Sequence, residues 1–247
     1  MLFLPEYMQK DIFNIQSEED FKEVALSVFK HQFKNNKVYR SFCDLLYIHP
    51  SDVSKVEEIP FLPIQFFKSR EVISSLEKPQ EIFTSSGTTG SITSKHYVTD
   101  INLYKESYSK GFTHFYGDIE EYTVLALLPN YLERKGSSLV FMVDDLIRKS
   151  KNSESGFYLN NLEELAQKLT ELDKNGQKTL LIGVSFALLD LVEMQQFNLK
   201  NTIIMETGGM KGRRKELIRE ELHSILKNGF GVEEIHSEYG MTELLSQ

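Results

Sequence analysis

Short apolar runs alternating with amphipathic stretches of helical period constrain the fold of this chain more than any other feature. From about residue 80 onward, the runs YTVLALL (122–128), SLVFMV (138–143), TLLIGV (179–184) and NTIIM (201–205) read as strands. Between them, apolar residues recur three and four apart over 101–116, 162–174, 185–196 and 213–227, which predicts helices. Apolar strands separated by helices belong to a parallel sheet covered on both faces, so the expected fold class is α/β, a mainly parallel sheet flanked by helices. The segment 162–174 is the best specified. Asn161 and Glu164 have capping-box spacing, Leu162, Leu165, Ala166, Leu169 and Leu172 make one stripe, and Gly176 follows as a stop.

The start of the chain has a different pattern. Ser17 stands as an N-cap before a helix to residue 35, whose Val24, Ala25, Val28, Phe29 and Phe33 share a face. Pro60 and Pro63 forbid regular helix in EEIPFLPIQFFKSREV and make it an extended connector. We expect a single unit over residues 1–247, with a mostly helical lead-in (1–75) and an α/β core (76–247).

Charge and cysteine content narrow the function classes. A net charge of −8 argues against nucleic acid or an anionic membrane as partner. The longest apolar runs fall far short of the roughly 20 residues of a membrane helix. The one cysteine, Cys43, has no disulfide partner, and Pro5 and Glu6 interrupt any signal-peptide core, so the expected location is the cytoplasm.

FTSSGTTGSITSKHYV (83–98) crowds hydroxyls and glycines between apolar flanks. Such a run offers closely spaced N–H and O–H donors with no bulky Cβ to hold off an anion, although similar clusters also serve as plain turns. Ile82, Phe83, Tyr97 and Val98 predict a strand on either side, and Lys95 adds a cation. It is no Walker loop, because, counted from Gly87, Ile92 and Thr93 stand where that motif needs Gly and Lys, and no GxGxxG occurs. Two further pieces carry chemistry. METGGMKGRRKEL puts Gly208 and Gly209 after an apolar strand, and HSEYGMTELLSQ groups Tyr239, Gly240, Thr242 and Glu243.

SSGTTG with a downstream lysine, followed much later by YGMTE, resembles the adenylate-forming superfamily of acyl-CoA synthetases, peptide-synthetase adenylation domains and luciferases. Within it, FLPIQFFKS, FTSSGTTGSITSKH, PNYLERKGSSLVFM and ETGGMKGR are most similar to the acyl-protein synthetase (LuxE) family, from about residue 58 to the last residue. The resemblance implies the large N-terminal domain of those enzymes, without the lid domain and acceptor cysteine that follow it in the family. It also implies ATP and Mg2+ as cofactors and a fatty or related carboxylic acid as substrate. That acid is activated as an acyl-adenylate and handed to a protein thiol that supplies an acyl reductase. The alternatives are an acyl- or aryl-CoA ligase of the phenylacetate type and a noncatalytic nucleotide- or acyl-binding fragment.

Residue by residue, the resemblance implies that Ser85, Ser86, Gly87, Thr88, Thr89 and Gly90 wrap the β- and γ-phosphates, with Lys95 adding charge. Gly208 and Gly209 allow close approach to adenine, Tyr239 beside Gly240 stacks on the base, Thr242 contacts the α-phosphate and Glu243 helps hold Mg2+. Tyr131 falls beside the acyl site.

Other residues have plainer readings. Cys43 matches no acceptor position and reads as a buried small apolar residue. Tyr104, Tyr108, Phe112 and Phe115 read as a buried helix face before an acyl tunnel. Lys211, Arg213, Arg214 and Lys215 read as a solvated loop that can also hold an anion, and His96 is the one histidine with a case for function.

Overall fold

The strands form where β-branched and large aliphatic residues run together with no polar interruption. The computed structural model describes residues 12–85, 92–129, 135–159, 161–208, 210 and 214–246. Two compact units emerge, 12–108 with 241–246 and 109–240, and the division falls inside one helix.

In the first unit, helix α1 (Glu18–Asn35) opens on a capping box: the Ser17 side chain accepts from the Asp20 N–H, and the Asp20 carboxylate accepts from the Ser17 N–H. Helix α2 (Lys37–Leu45) follows with Asn36 as its N-cap. Phe29, Phe33, Tyr39, Cys43 and Val53 make a core between these elements, and the Tyr39 hydroxyl donates to Pro60 O at 2.7 Å. Cys43 is fully buried there, as its reading required, and burial pushes its thiol pKa up. Beyond Pro63 the chain turns into the single-turn helix α3 (Phe66–Ser69). Strands β1 (Glu81–Thr84) and β2 (Lys95–Val98) then pair antiparallel, which is the expected hairpin.

Helix α4 (Ile101–Tyr116) has the expected bounds, and the division between the units falls at Tyr108. Tyr104, Tyr108 and Phe112 are buried, as the core reading requires, but Phe115 is 76% exposed.

In the second unit, β3 (Thr123–Leu127), β4 (Gly156–Phe157), β5 (Thr179–Val184), β6 (Thr202–Thr207) and β7 (His236–Glu238) form a parallel sheet in the order β4-β3-β5-β6-β7. Every residue of β3 and β5 is buried, which explains their unbroken apolar character. The intervening helices are α5 (Ser138–Ser150), α6 (Leu162–Lys174), α7 (Ser185–Met194) and α8 (Arg219–Phe230). At Gly229 a Cβ would lie 2.5 Å from the Val192 side chain, so α7 and α8 approach as closely as they do only because α8 carries glycine there.

Two expectations are corrected. Residues 138–143 are not a strand but the first half of α5, capped by the Ser137 side chain on the Val140 N–H at 3.4 Å. The stripe Val140, Val143 and Leu146 continues at helical spacing, and a six-residue window is too short to distinguish it from a strand. Helix α8 begins at Arg219 rather than 213, because the preceding chain is drawn aside by Arg214, which pairs with Asp190 and Glu193 on α7.

Candidate functional site

In the first unit, the hairpin presents two chemically different faces. Along a strand, side chains alternate, so Phe83, His96 and Val98 lie on one face while Lys95 and Tyr97 lie on the other. Phe83 and Val98 are buried. The opposite face lines a groove of about 450 Å3 with Lys68, Ser69, Arg70, Glu71 and Thr93, in which the three exposed cations Lys68, Arg70 and Lys95 outnumber the one carboxylate, Glu71. The loop root is clasped by Ser94, whose N–H donates to Ser85 Oγ at 3.0 Å while its carbonyl accepts from the Ser85 N–H at 3.1 Å. What Ser85 can still offer a ligand is its hydroxyl hydrogen. Ser86, Gly87, Thr88, Thr89 and Gly90 lie outside the described residues, as do Tyr131 and Gly209.

The same unit brings the far end of the chain onto β2. Residues 241–244 form a turn closed by the Leu244 N–H on Met241 O at 3.0 Å. His96 Nδ1 lies 3.0 Å from Thr242 O. A carbonyl only accepts, so Nδ1 carries the proton. Burial pushes the His96 imidazole pKa down, and the bond to Thr242 and the Glu243 charge only partly oppose this. Thr242 and Glu243 are thus held beside the residue that follows Lys95, although they are some 146 positions away in sequence.

In the second unit, the carboxyl ends of β5, β6 and β7 carry a polar cluster. Glu206 is 8% exposed, and it accepts from Ser185 Oγ at 3.1 Å and from Ser237 Oγ at 2.7 Å, with His223 Nε2 3.5 Å away. Ser185 Oγ also lies 2.5 Å from Gly208 O. Across the neighbouring register pair, the Thr207 hydroxyl donates to Glu238, whose other oxygen is buried with no partner among the described residues. Burial pushes the Glu238 carboxyl pKa up, and the Glu206 charge adds to this. Gly208 has φ +64°, a left-handed turn straight after β6 that a side chain would strain. Tyr239 follows Glu238 and is 74% exposed, and Gly240 is exposed as well.

Sequence reasoning missed Glu206, Ser185, Ser237 and His223, because two strands and two helices supply one residue each. An acidic residue ending an apolar strand, as in IIMET, was the one available signal. It also missed Lys68 and Arg70. Arg214 does hold an anion, but the anion is the protein's own Asp190 and Glu193.

Mg2+ prefers oxygen ligands and commonly keeps waters and substrate phosphates beside one or two carboxylates. Among the described residues no group of three or more His, Cys, Asp or Glu forms a cage. A single half-buried carboxylate, Glu243, fits such an ion. Among the same residues, no helix is long and apolar enough to cross a membrane.

Residues 10–120 match the profile of the family "Acyl-protein synthetase, LuxE". The match begins within the helical lead-in, well before the motif resemblance at about residue 58. A long-chain-fatty-acid–luciferin-component ligase of Photorhabdus luminescens is 32% identical over 76 residues, 30% of this chain and 65% of that protein. The fold is similar to that of a 2-hydroxyisobutyryl-CoA ligase solved in an open conformation with 2-HIB-AMP and CoA. The TM-score is 0.60 at 10% identity, covering 93% of this chain and 55% of that one. The chain therefore spans less than two thirds of the length of each.

Proposed function

We propose that this chain is an acyl-protein synthetase of the LuxE kind, which uses ATP and Mg2+ to activate a long-chain fatty acid and passes the acyl group to a protein thiol. The observation that carries this reading is the seating of Thr242 and Glu243 on β2 beside Lys95, which joins the two ends of the motif set within one unit. The sequence family supports the protein thiol. The likeness to a CoA ligase is one of fold alone and does not favour coenzyme A.

In the proposed reaction, a fatty carboxylate oxygen attacks the α-phosphorus, the bond to the bridging oxygen breaks, and pyrophosphate leaves. A thiolate then attacks the acyl carbonyl and AMP departs. No proton-transfer pair is needed, so the protein's task is to position and neutralise charge. Lys95, with the loop 85–90, is assigned to the β- and γ-phosphates. Lys68 and Arg70 add positive potential along the same groove. Thr242 is assigned to the α-phosphate and Glu243 to Mg2+, which when bound neutralises charge on the leaving pyrophosphate. Gly208, Gly209, Tyr239 and Gly240 are assigned to adenine, and Tyr131 to the acyl group. The thiol is not Cys43, the one cysteine among these 247 residues, because it is fully buried. Acyl delivery to a reductase partner and a cytoplasmic location complete the reading.

Incubation with Mg-ATP and saturated fatty acids of graded length, followed by mass spectrometry, tests it. The expected product is an acyl-adenylate that depends on both reactants. Mg-ATP binding with no adenylate at any chain length would refute the activation step.

A further inference from the structure

Resting on that nucleotide reading, we infer that His96 is a positioning residue that fixes the Thr242–Glu243 turn on the phosphate-loop hairpin through its Nδ1–H bond to the Thr242 carbonyl. Three observations carry the inference. First, the bond spans 146 residues of sequence at 3.0 Å and joins the strand carrying Lys95 to the turn carrying the residues assigned to the α-phosphate and the metal. Second, the ring is itself held. Its register partner is Phe83, which is fully buried, and Phe67 meets it edge to face at 5.6 Å and 82°. Third, the turn has its own closing bond, from the Leu244 N–H to Met241 O at 3.0 Å, so it needs only one outside tie to fix its place.

The alternation of β2 gives this arrangement its use. Lys95 faces the cationic groove while His96, one residue on, faces inward and reaches the turn. A single strand thereby sets the spacing between a phosphate-binding lysine and the groups assigned to the other end of the triphosphate. A shift of the turn by about 1 Å is enough to cost a reaction that depends on positioning. His96 touches no substrate in this scheme and acts through Thr242 and Glu243.

The role depends on one nitrogen, and this makes it testable. Asparagine can place its Nδ2 donor close to the position of histidine Nδ1, glutamine places a donor near Nε2 instead, and leucine keeps bulk with no donor. We expect His96→Leu and His96→Gln to weaken Mg-ATP binding about five- to tenfold by calorimetry, and His96→Asn to stay within about twofold of wild type. Adenosine, which lacks phosphates, should bind all four proteins alike. A residue that only fills the core would instead show losses that follow melting temperature and affect both ligands.

Wild-type affinity for Mg-ATP in both the Leu and Gln variants overturns the inference while leaving the nucleotide reading intact. Equal weakening in all three variants, Asn included, also overturns it, because the Nδ1 donor would not be what matters. If His96→Leu fails to fold, the Asn and Gln pair carries the comparison. A wild-type chain that binds no Mg-ATP removes both this inference and the reading beneath it.

Discussion

At the root of the β1–β2 hairpin, Lys68, Arg70 and Lys95 stand in solvent along one groove, whereas at the carboxyl edge of the five-stranded sheet Glu206 is buried among hydroxyls and Glu238 has one oxygen with no partner. The two regions use charge in different ways. An exposed cation keeps its full capacity for an incoming anion and contributes little to stability, because solvent already satisfies it. A buried carboxylate must be satisfied by its neighbours, and removing it disturbs those neighbours more than any ligand. The comparison therefore separates function from architecture: substitutions at the hairpin should affect nucleotide binding and spare the fold, while those at the sheet edge should affect the fold first.

The largest expected effect breaks the comparison if it fails. Lys95→Ala and Glu243→Ala should each lower acyl-adenylate formation by about 100-fold or more, the cost of losing one preorganised charge contact. Melting temperature should move by no more than about 2 °C, as for a surface substitution. Glu206→Ala is the converse. It removes the carboxylate that the Ser185 and Ser237 hydroxyls share, leaving them only Gly208 O and His223 Nε2, and should cost about 2–3 kcal/mol, read as a fall of about 5–10 °C in melting temperature.

Glu238 sharpens the contrast through pH. Its folded pKa is raised by burial above the ordinary value of 4.5, so the folded state favours the protonated form. The stability this group contributes is complete below 4.5 and is lost as pH rises through the folded value. Glu238→Gln should therefore melt a few degrees higher than wild type at neutral pH, with the gap closing as the pH falls through the folded value toward 4.5. Thermal melts across that range check the sign. The smallest effect concerns the first unit's core: Cys43, fully buried and with its thiol pKa pushed up, should not react with a thiol reagent in the native protein and should react fully after denaturation.

How much of this was legible in sequence follows from how local each signal is. Helices α1 and α6 announce themselves through Ser17 with Asp20 and Asn161 with Glu164, caps that act within four residues. The hairpin was legible because apolar flanks bracket a polar loop, and β5 because an unbroken aliphatic run suits a strand buried on both faces. Segment 138–143 misled because only the downstream residues to Ser150 reveal its helical period. Strand β7 has three residues, too few for any period, and it exists because β6 offers a parallel edge.

The candidate site divides in the same way. Lys95, Thr242 and Glu243 could be named from motifs, but the bond that unites them runs through His96 and crosses most of the chain. The Glu206 cluster gathers single residues from four elements, so no local pattern records it.

Exchange of labelled pyrophosphate into ATP tests the central reading most directly, because it reports formation and reversal of the acyl-adenylate without any thiol acceptor. The expected result is exchange that requires both Mg2+ and a long-chain fatty acid and that disappears in Lys95→Ala. Exchange equally fast without a fatty acid, or none with any fatty acid while Mg-ATP binds, would contradict it.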